Sequence, residues 1–254
     1  MSAPVQDGPR AGEAPRGFGE ALARLSSAQK TTKGAPAYSR FVNRKLGRLL
    51  AAVSYVVGLT PNQVTGISAC FTFAGIALIA LVDPAPWLGV AVCLALVVGY
   101  AFDAADGQLA RLRGGGSPAG EYLDHMVDSL KISSLHGAVL ISFYRFFDLD
   151  RSAYLLIPLG FTVVAAVMFF GMILKDLLAR ARRAATGAAP PPAAAPSTLR
   201  SLLVIPTDYG LLCVAFLLLG APTVFLPLYA LIFAGNLLFL LAASVKWFRE
   251  VERL

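Results

Sequence analysis

Charge is scarce in this chain of 254 residues: Asp, Glu, Lys and Arg together make up 15% of it, against about a quarter in an ordinary soluble domain. Apolar residues fill 57%, and the mean hydropathy is +0.67. That balance argues against a soluble domain and for an all-α, polytopic membrane protein, because helices and closed barrels are what satisfy their own backbone in lipid. Cysteine is scarce as well. Cys70, Cys93 and Cys213 lie inside apolar runs with no CxxC spacing, so they read as small hydrophobes rather than metal ligands or a disulfide framework. The region after Met1 lacks an apolar core, so no cleavable signal peptide is expected. Basic residues interleaved with aromatics are also missing, which argues against a nucleic-acid partner.

What is present is a net charge of +7 that falls between the hydrophobic runs. This is the distribution expected from the positive-inside rule and from attraction to acidic headgroups. Residues 1–35, rich in Gly and Pro, read as a disordered cytoplasmic tail. Over 36–60, Phe41, Leu46, Leu49, Leu50 and Val53 recur at helical spacing opposite Arg40, Arg44, Lys45 and Arg48. That is a basic amphipathic helix suited to the cytoplasmic headgroup layer. A membrane domain over 61–247 follows, with six transmembrane helices expected near 62–82, 87–110, 118–144, 153–178, 206–220 and 222–246. The Ala/Pro-rich stretch 184–198 reads as a flexible linker. Nearly all Lys and Arg flank one side of these spans, so both termini are expected in the cytoplasm and the protein in the cell membrane.

The second span does not stay apolar. It runs into Asp103-Ala-Ala-Asp106-Gly107 and on to Arg111, and the third opens through Gly120 and Glu121 to Asp124 and Asp128. Asp103 and Asp106 are three apart and Asp124 and Asp128 four apart, so each pair shares a helix face. The short turn between predicts antiparallel neighbouring helices with the pairs facing each other. Carboxylates near a membrane are costly unless compensated. Two Mg²⁺ or Mn²⁺ ions are the natural compensation for all-oxygen ligands, and paired divalent ions suit phosphoryl transfer. Gly107 leaves room for a bulky diphosphate, and Arg111 offers it a fixed cation. The competing reading pairs the aspartates with Arg111, Arg113 and Lys131 at a helix boundary. Four aspartates at this spacing, interleaved with Gly and Arg, favour the chemistry.

This constellation resembles the signature of the CDP-alcohol phosphotransferases, D-x2-D-G-x2-A-R-x8-G-x3-D-x3-D, with all eight fixed positions present over 26 residues. Thr60-Pro61-Asn62-Gln63-Val64-Thr65 resembles the segment that opens the first span in that family. The resemblance implies the following roles. Asp103 and Asp124 bridge two metals, Asp106 completes the first site, and Asp128 joins the second and acts as general base. Gly107, Arg111 and Ser117 contact the CDP donor, and Asn62 holds its cytidine end. Asn62 and Ser117 can equally be read as helix caps. The resemblance further implies homodimerisation through the later spans.

The implied reaction moves a phosphatidyl group from CDP-diacylglycerol to the hydroxyl of a small polar alcohol, with release of CMP. An alternative, towards which Glu121, His125 and Ser129 lean slightly, moves a polar headgroup phosphate from a CDP-alcohol to a lipid acceptor. Lys131 and Arg200 are candidate contacts for an acceptor phosphate, as are Arg180, Arg182 and Arg183, against a reading as topology charges. Asp208 is either a helix cap or an acceptor contact. Asp-rich prenyltransferases would need two separated clusters. A membrane cation transporter would place its aspartates mid-span in broken helices, away from an arginine.

Overall fold

The computed structural model of the chain describes residues 15–27, 36–189 and 204–254, and every regular element among them is a helix. The expected tail over 1–35 is interrupted by α1, Phe18–Ser27. Phe18, Ala21, Leu22 and Leu25 fall on one face, and Ala21 and Leu25 are buried. Glu20 stands in its first turn and accepts from Arg16 N at 2.9 Å. The Gly and Pro content of the flanks concealed this short amphipathic repeat. The rest of the tail, 1–14 and 28–35, lies outside the described residues.

A π-helical turn, Ser39–Asn43, leads into α2, Arg44–Val57. The helix closes on Gly58 at φ 84°, where Gly58 N bonds Tyr55 O and Leu59 N bonds Ser54 O. This double bond needs a left-handed residue, which Gly supplies without strain. The apolar residues of α2 divide by size between its buried and exposed faces. Small residues (Gly47, Ala51, Ala52 and Ser54) are buried in contact with the rest of the protein, whereas Leu46, Leu49, Val53, Val56 and Val57 are exposed. A Cβ on Gly47 would come within 2.7 Å of Ala104 Cβ, so α2 lies directly on the helix that carries Asp103.

α3, Pro61–Leu81, starts from a capping box in which Thr60 and Gln63 satisfy each other's backbone N–H groups. α4, Pro86–Leu112, packs closely on α3. Gly99 makes this possible: a Cβ there would collide with Thr72 Oγ1 and lie 3.2 Å from Ser68 O. Gly114 and Gly115, both at positive φ, end α4, and Ser117 caps α5, Pro118–Phe146. α4 and α5 face each other across the side chains of Asp103 of α4 and Asp124, Asp128 and Lys131 of α5. α3 lies against both, and the two helices meet through side chains rather than a packed backbone seam.

α6, Leu156–Thr186, follows a 3-10 turn at Ser152–Leu155 and runs beyond the expected span end at 178. Residues 184–186 of the expected linker therefore belong to α6, Gly187 ends it at φ 66°, and 190–198 lie outside the described residues. α7, Tyr209–Ala215, continues as a 3-10 turn to Leu218, and α8, Pro222–Glu252, completes the chain. Among the described residues, four helices are long and apolar enough to cross a membrane: α3, α4, α6 with its leading turn, and α8. α5 is long but carries Glu121, Asp124, Asp128 and Lys131 in its first half. The helix Tyr209–Leu218 covers only about 15 Å at about 1.5 Å per residue, half a hydrocarbon core.

The core lies beyond the acidic half of α5, where Phe143, Phe161, Phe216, Phe225 and Tyr229 are buried together. His136 stacks on Phe161 at 3.8 Å and its Nδ1 lies 2.6 Å from the Tyr229 hydroxyl. It is a packed histidine.

Candidate active site

One carboxylate oxygen each from Asp103, Asp124 and Asp128 lie within 4.8 Å of one another. α4 supplies the first and α5 the other two, one turn apart. At that spacing two unit charges repel by roughly 3.5 kcal/mol at an effective dielectric of about 20, so the cluster requires a cation. Lys131, one turn beyond Asp128, supplies one. Its Nζ lies 2.5 Å from Asp103 Oδ1, 3.2 Å from Asp128 Oδ1 and 3.0 Å from Ser68 Oγ. Lys131 is buried at 6% exposure. Lys131, named from the sequence as a candidate contact for an acceptor phosphate, is here engaged by the cluster and by Ser68.

Asp106 stands apart from the three. Three residues on from Asp103 is 300° around the helix, which turns Asp106 towards α3. There it accepts from Thr65 Oγ1 at 2.6 Å and from Gly107 N. The four aspartates thus divide into a converged trio and one buried carboxylate held beside it.

The donor-side residues gather at the start of α5. Ser117 is its cap, accepting from Gly120 N at 3.0 Å. Asn62 is not a cap, because Thr60 has that role; its Oδ1 would lie 3.2 Å from a Cβ on Gly120, and Ser117 Oγ 3.3 Å from it. Asn62, Ser117 and Gly120 therefore form one small polar cradle, in which Gly120 is bare because a side chain would crowd both partners. Arg111 Nη1 would lie 3.5 Å from a Cβ on Gly107, so its guanidinium lies along the strip of α4 that Gly107 leaves open.

The remaining candidates divide. Asp208 is a cap, accepting from Gly210 N at 3.1 Å and also from Tyr38 N at 2.6 Å, so it fastens the start of the interfacial segment to α7. Arg180 donates to Glu121 at 2.6 Å, joining α6 to α5. Arg200 lies outside the described residues.

Sequence reasoning gave no role to Ser68 or Thr72. The signal was there: Thr65, Ser68 and Thr72 are hydroxyls at i, i+3 and i+7 in an otherwise apolar span, hence on one face. That face meets Asp106, Lys131 and Gly99.

A cavity of about 430 Å³ adjoins Asp103 and Asp128. Asp103, Asp128 and Lys131 line one end, and Phe161, Phe169 and Trp247 contribute to a mostly apolar remainder. The trio fits a divalent ion: its donors are all hard oxygens from carboxylates, close enough to share an ion, and the lysine ammonium already stands among them as a cation.

Among curated proteins no relative of the chain was found. Among solved structures, the phosphatidylinositol phosphate synthase PgsA1 of Mycobacterium tuberculosis with CDP-DAG bound is 22% identical. That match covers 83% of this chain and 93% of the other at a TM-score of 0.49. The same protein in complex with manganese and citrate is 20% identical over 80% and 87% of the two chains, with a TM-score of 0.44. The model of the CDP-alcohol phosphatidyltransferase family matches residues 58–246, from the end of α2 well into α8 and across the whole acidic site. The chain belongs to the CDP-alcohol phosphatidyltransferase family and is an integral-membrane transferase of substituted phosphate groups.

Proposed function

We propose that the chain transfers a phosphatidyl group from CDP-diacylglycerol to the hydroxyl of a small polar alcohol and releases CMP. The observation that carries this reading is the convergence of Asp103, Asp124 and Asp128, two of which, Asp103 and Asp128, line a cavity. The family's phosphatidyl transfer supports the donor.

Asp128 lines the cavity and accepts the proton of the acceptor hydroxyl. As the hydroxyl oxygen bonds to the β-phosphorus, the bond from that phosphorus to the bridging oxygen breaks and CMP leaves with the electron pair. A placed base of this kind contributes about 10²–10⁴ in rate. Divalent ions held by Asp103, Asp124 and Asp128, with Asp106 beside them, would neutralise the charge that develops on the phosphate. Arg111 holds the diphosphate along Gly107, and Asn62 and Ser117 position the cytidine end. The apolar wall of the cavity keeps water from competing with the acceptor.

In the membrane, α5 joins the four apolar helices as a fifth crossing, and the longer segment from Ile205 to Leu218, a short helix extended at both ends by 3-10 turns, makes the sixth. Asp124 and Asp128 of α5 converge with Asp103 of α4, which supports the crossing of α5. α2 lies in the headgroup layer with its exposed Leu and Val face towards lipid. The active site and both termini face the cytoplasm, where the basic segments lie, and the later helices pair two copies.

The test is CMP release from CDP-diacylglycerol by purified protein with Mn²⁺, across serine, glycerol 3-phosphate, inositol, inositol phosphate and choline. Release with one of these supports the reading. A second reading, a CDP-linked headgroup passed to a lipid alcohol, is favoured by the apolar lining beyond Lys131. Release only with CDP-choline or CDP-ethanolamine plus diacylglycerol would establish it instead.

A further inference from the structure

Lys131 has no step to perform in the reaction above, yet three helices build its position. An ammonium has three hydrogens to donate. Asp103 of α4, Asp128 of α5 and Ser68 of α3 take all three. Ser68 is itself fixed, because its hydroxyl donates to Gly99 O at 2.9 Å and so turns its lone pairs towards the ammonium. Gly99 in turn lets α3 come close enough for that bond. A long, flexible lysine tail is held in one place, in a site that is otherwise strongly acidic.

We propose that Lys131 is a built-in counter-cation: it holds Asp103 and Asp128 together in the ion-free protein and sets how tightly divalent ions bind there. This rests on the reading of the acidic trio as a divalent-ion site. Two carboxylates that would ligate an ion are already paired with an ammonium through one oxygen each, so an incoming ion competes with Lys131 for their charge. Affinity is reduced by the strength of the lysine's hold, and in exchange the carboxylates do not repel one another when the site lacks an ion. The lysine therefore acts on the reaction through its neighbours, as a positioning residue.

The experiment is Mn²⁺ binding to the full-length purified protein, followed by electron paramagnetic resonance of free Mn²⁺, together with thermal melting in EDTA and in saturating Mn²⁺. Lys131→Met removes the charge and keeps most of the apolar stem. It is expected to bind Mn²⁺ about tenfold more tightly or better, the scale of one or two lost charge-assisted hydrogen bonds. It should also melt below wild type in EDTA and regain most of that loss in Mn²⁺. Ser68→Ala keeps the charge but removes one of its anchors, so it should tighten Mn²⁺ binding by a smaller factor, about two- to fivefold. It also serves if Lys131→Met does not fold. A lysine that merely packs would leave the Mn²⁺ affinity of both variants unchanged, and that result overturns the proposal while the metal-site reading stands. Weaker binding by both variants overturns it too, making Lys131 an organiser of the loaded site. Absence of Mn²⁺ binding in the wild type overturns the site reading and the proposal with it.

Discussion

Replacing Gly99 with alanine tests how the fold makes the site. Gly99 lies on α4, one turn before Asp103, at the closest approach of α4 to α3. A methyl group there would meet Thr72 Oγ1 and stand 3.1 Å from Thr72 N and 3.2 Å from Ser68 O. A threonine hydroxyl can rotate away, but the backbone atoms cannot, so α3 and α4 must separate by several tenths of an ångström. Overpacking of this kind costs about 1–3 kcal/mol. It also stretches the Ser68–Gly99 hydrogen bond, one of the supports of Lys131. Alanine is intrinsically better than glycine in a helix by about 1 kcal/mol, which offsets part of the loss. Gly66 measures that offset, because it lies on α3 with nothing within 4 Å of its would-be Cβ. In a detergent melt, Gly66→Ala should equal or exceed wild type. Gly99→Ala should melt about 2–12 °C below Gly66→Ala, taking about 1–3 kcal/mol of overpacking and about 2–4 °C per kcal/mol for a chain of this size. If Gly99→Ala melted at or above Gly66→Ala, the close α3–α4 contact and the support it lends Lys131 would be refuted.

Other outcomes follow from the same geometry. Gly120→Ala crowds Asn62 and Ser117, so it should raise the KM for the CDP donor several-fold while leaving the acceptor KM near wild type; steady-state CMP release measures both. Asp208→Ala removes the acceptor of Tyr38 N and Gly210 N, and a lost cap of this kind costs about 0.5–2 kcal/mol. Limited proteolysis should then release the N-terminal segment through α2 sooner than in wild type. EDTA should abolish CMP release, and Mn²⁺ or Mg²⁺ should restore it while Ca²⁺, which takes longer and more numerous oxygen contacts, should not.

Much of this was legible in the sequence, for reasons that differ by element. The spans α3, α4, α6 and α8 are uniform apolar runs, and composition alone finds them. The acidic residues were legible because unpaired carboxylates beside apolar runs are costly. Their arrangement was only half legible. Helical spacing places Asp124 with Asp128, but whether Asp106 points at them or at Thr65 depends on where α3 packs, and no period in the sequence states that. The same holds for Lys131. Its sequence distance from Asp128 puts it near the cluster, but Ser68, on another helix, decides that it is held there. α1 was missed because ten helical residues sit between Gly- and Pro-rich flanks. The small-residue face of α2 was overshadowed by its larger apolar stripe, which faces outward. Asn62 and Ser117 each had a capping reading, and only the three-dimensional arrangement separates them: Thr60 caps α3, Ser117 caps α5, and Asn62 remains available to a ligand.

The central claim is that the carboxylates of α4 and α5 carry the transfer, and it is tested most directly by comparing CMP release from CDP-diacylglycerol by wild type and by Asp128→Asn, both verified as folded by thermal melting, with Mn²⁺ and the best acceptor. The account predicts that Asp128→Asn loses at least about 10² in rate, the scale of a positioned general base, while retaining its fold. Activity within about tenfold of wild type in a folded Asp128→Asn protein would contradict it.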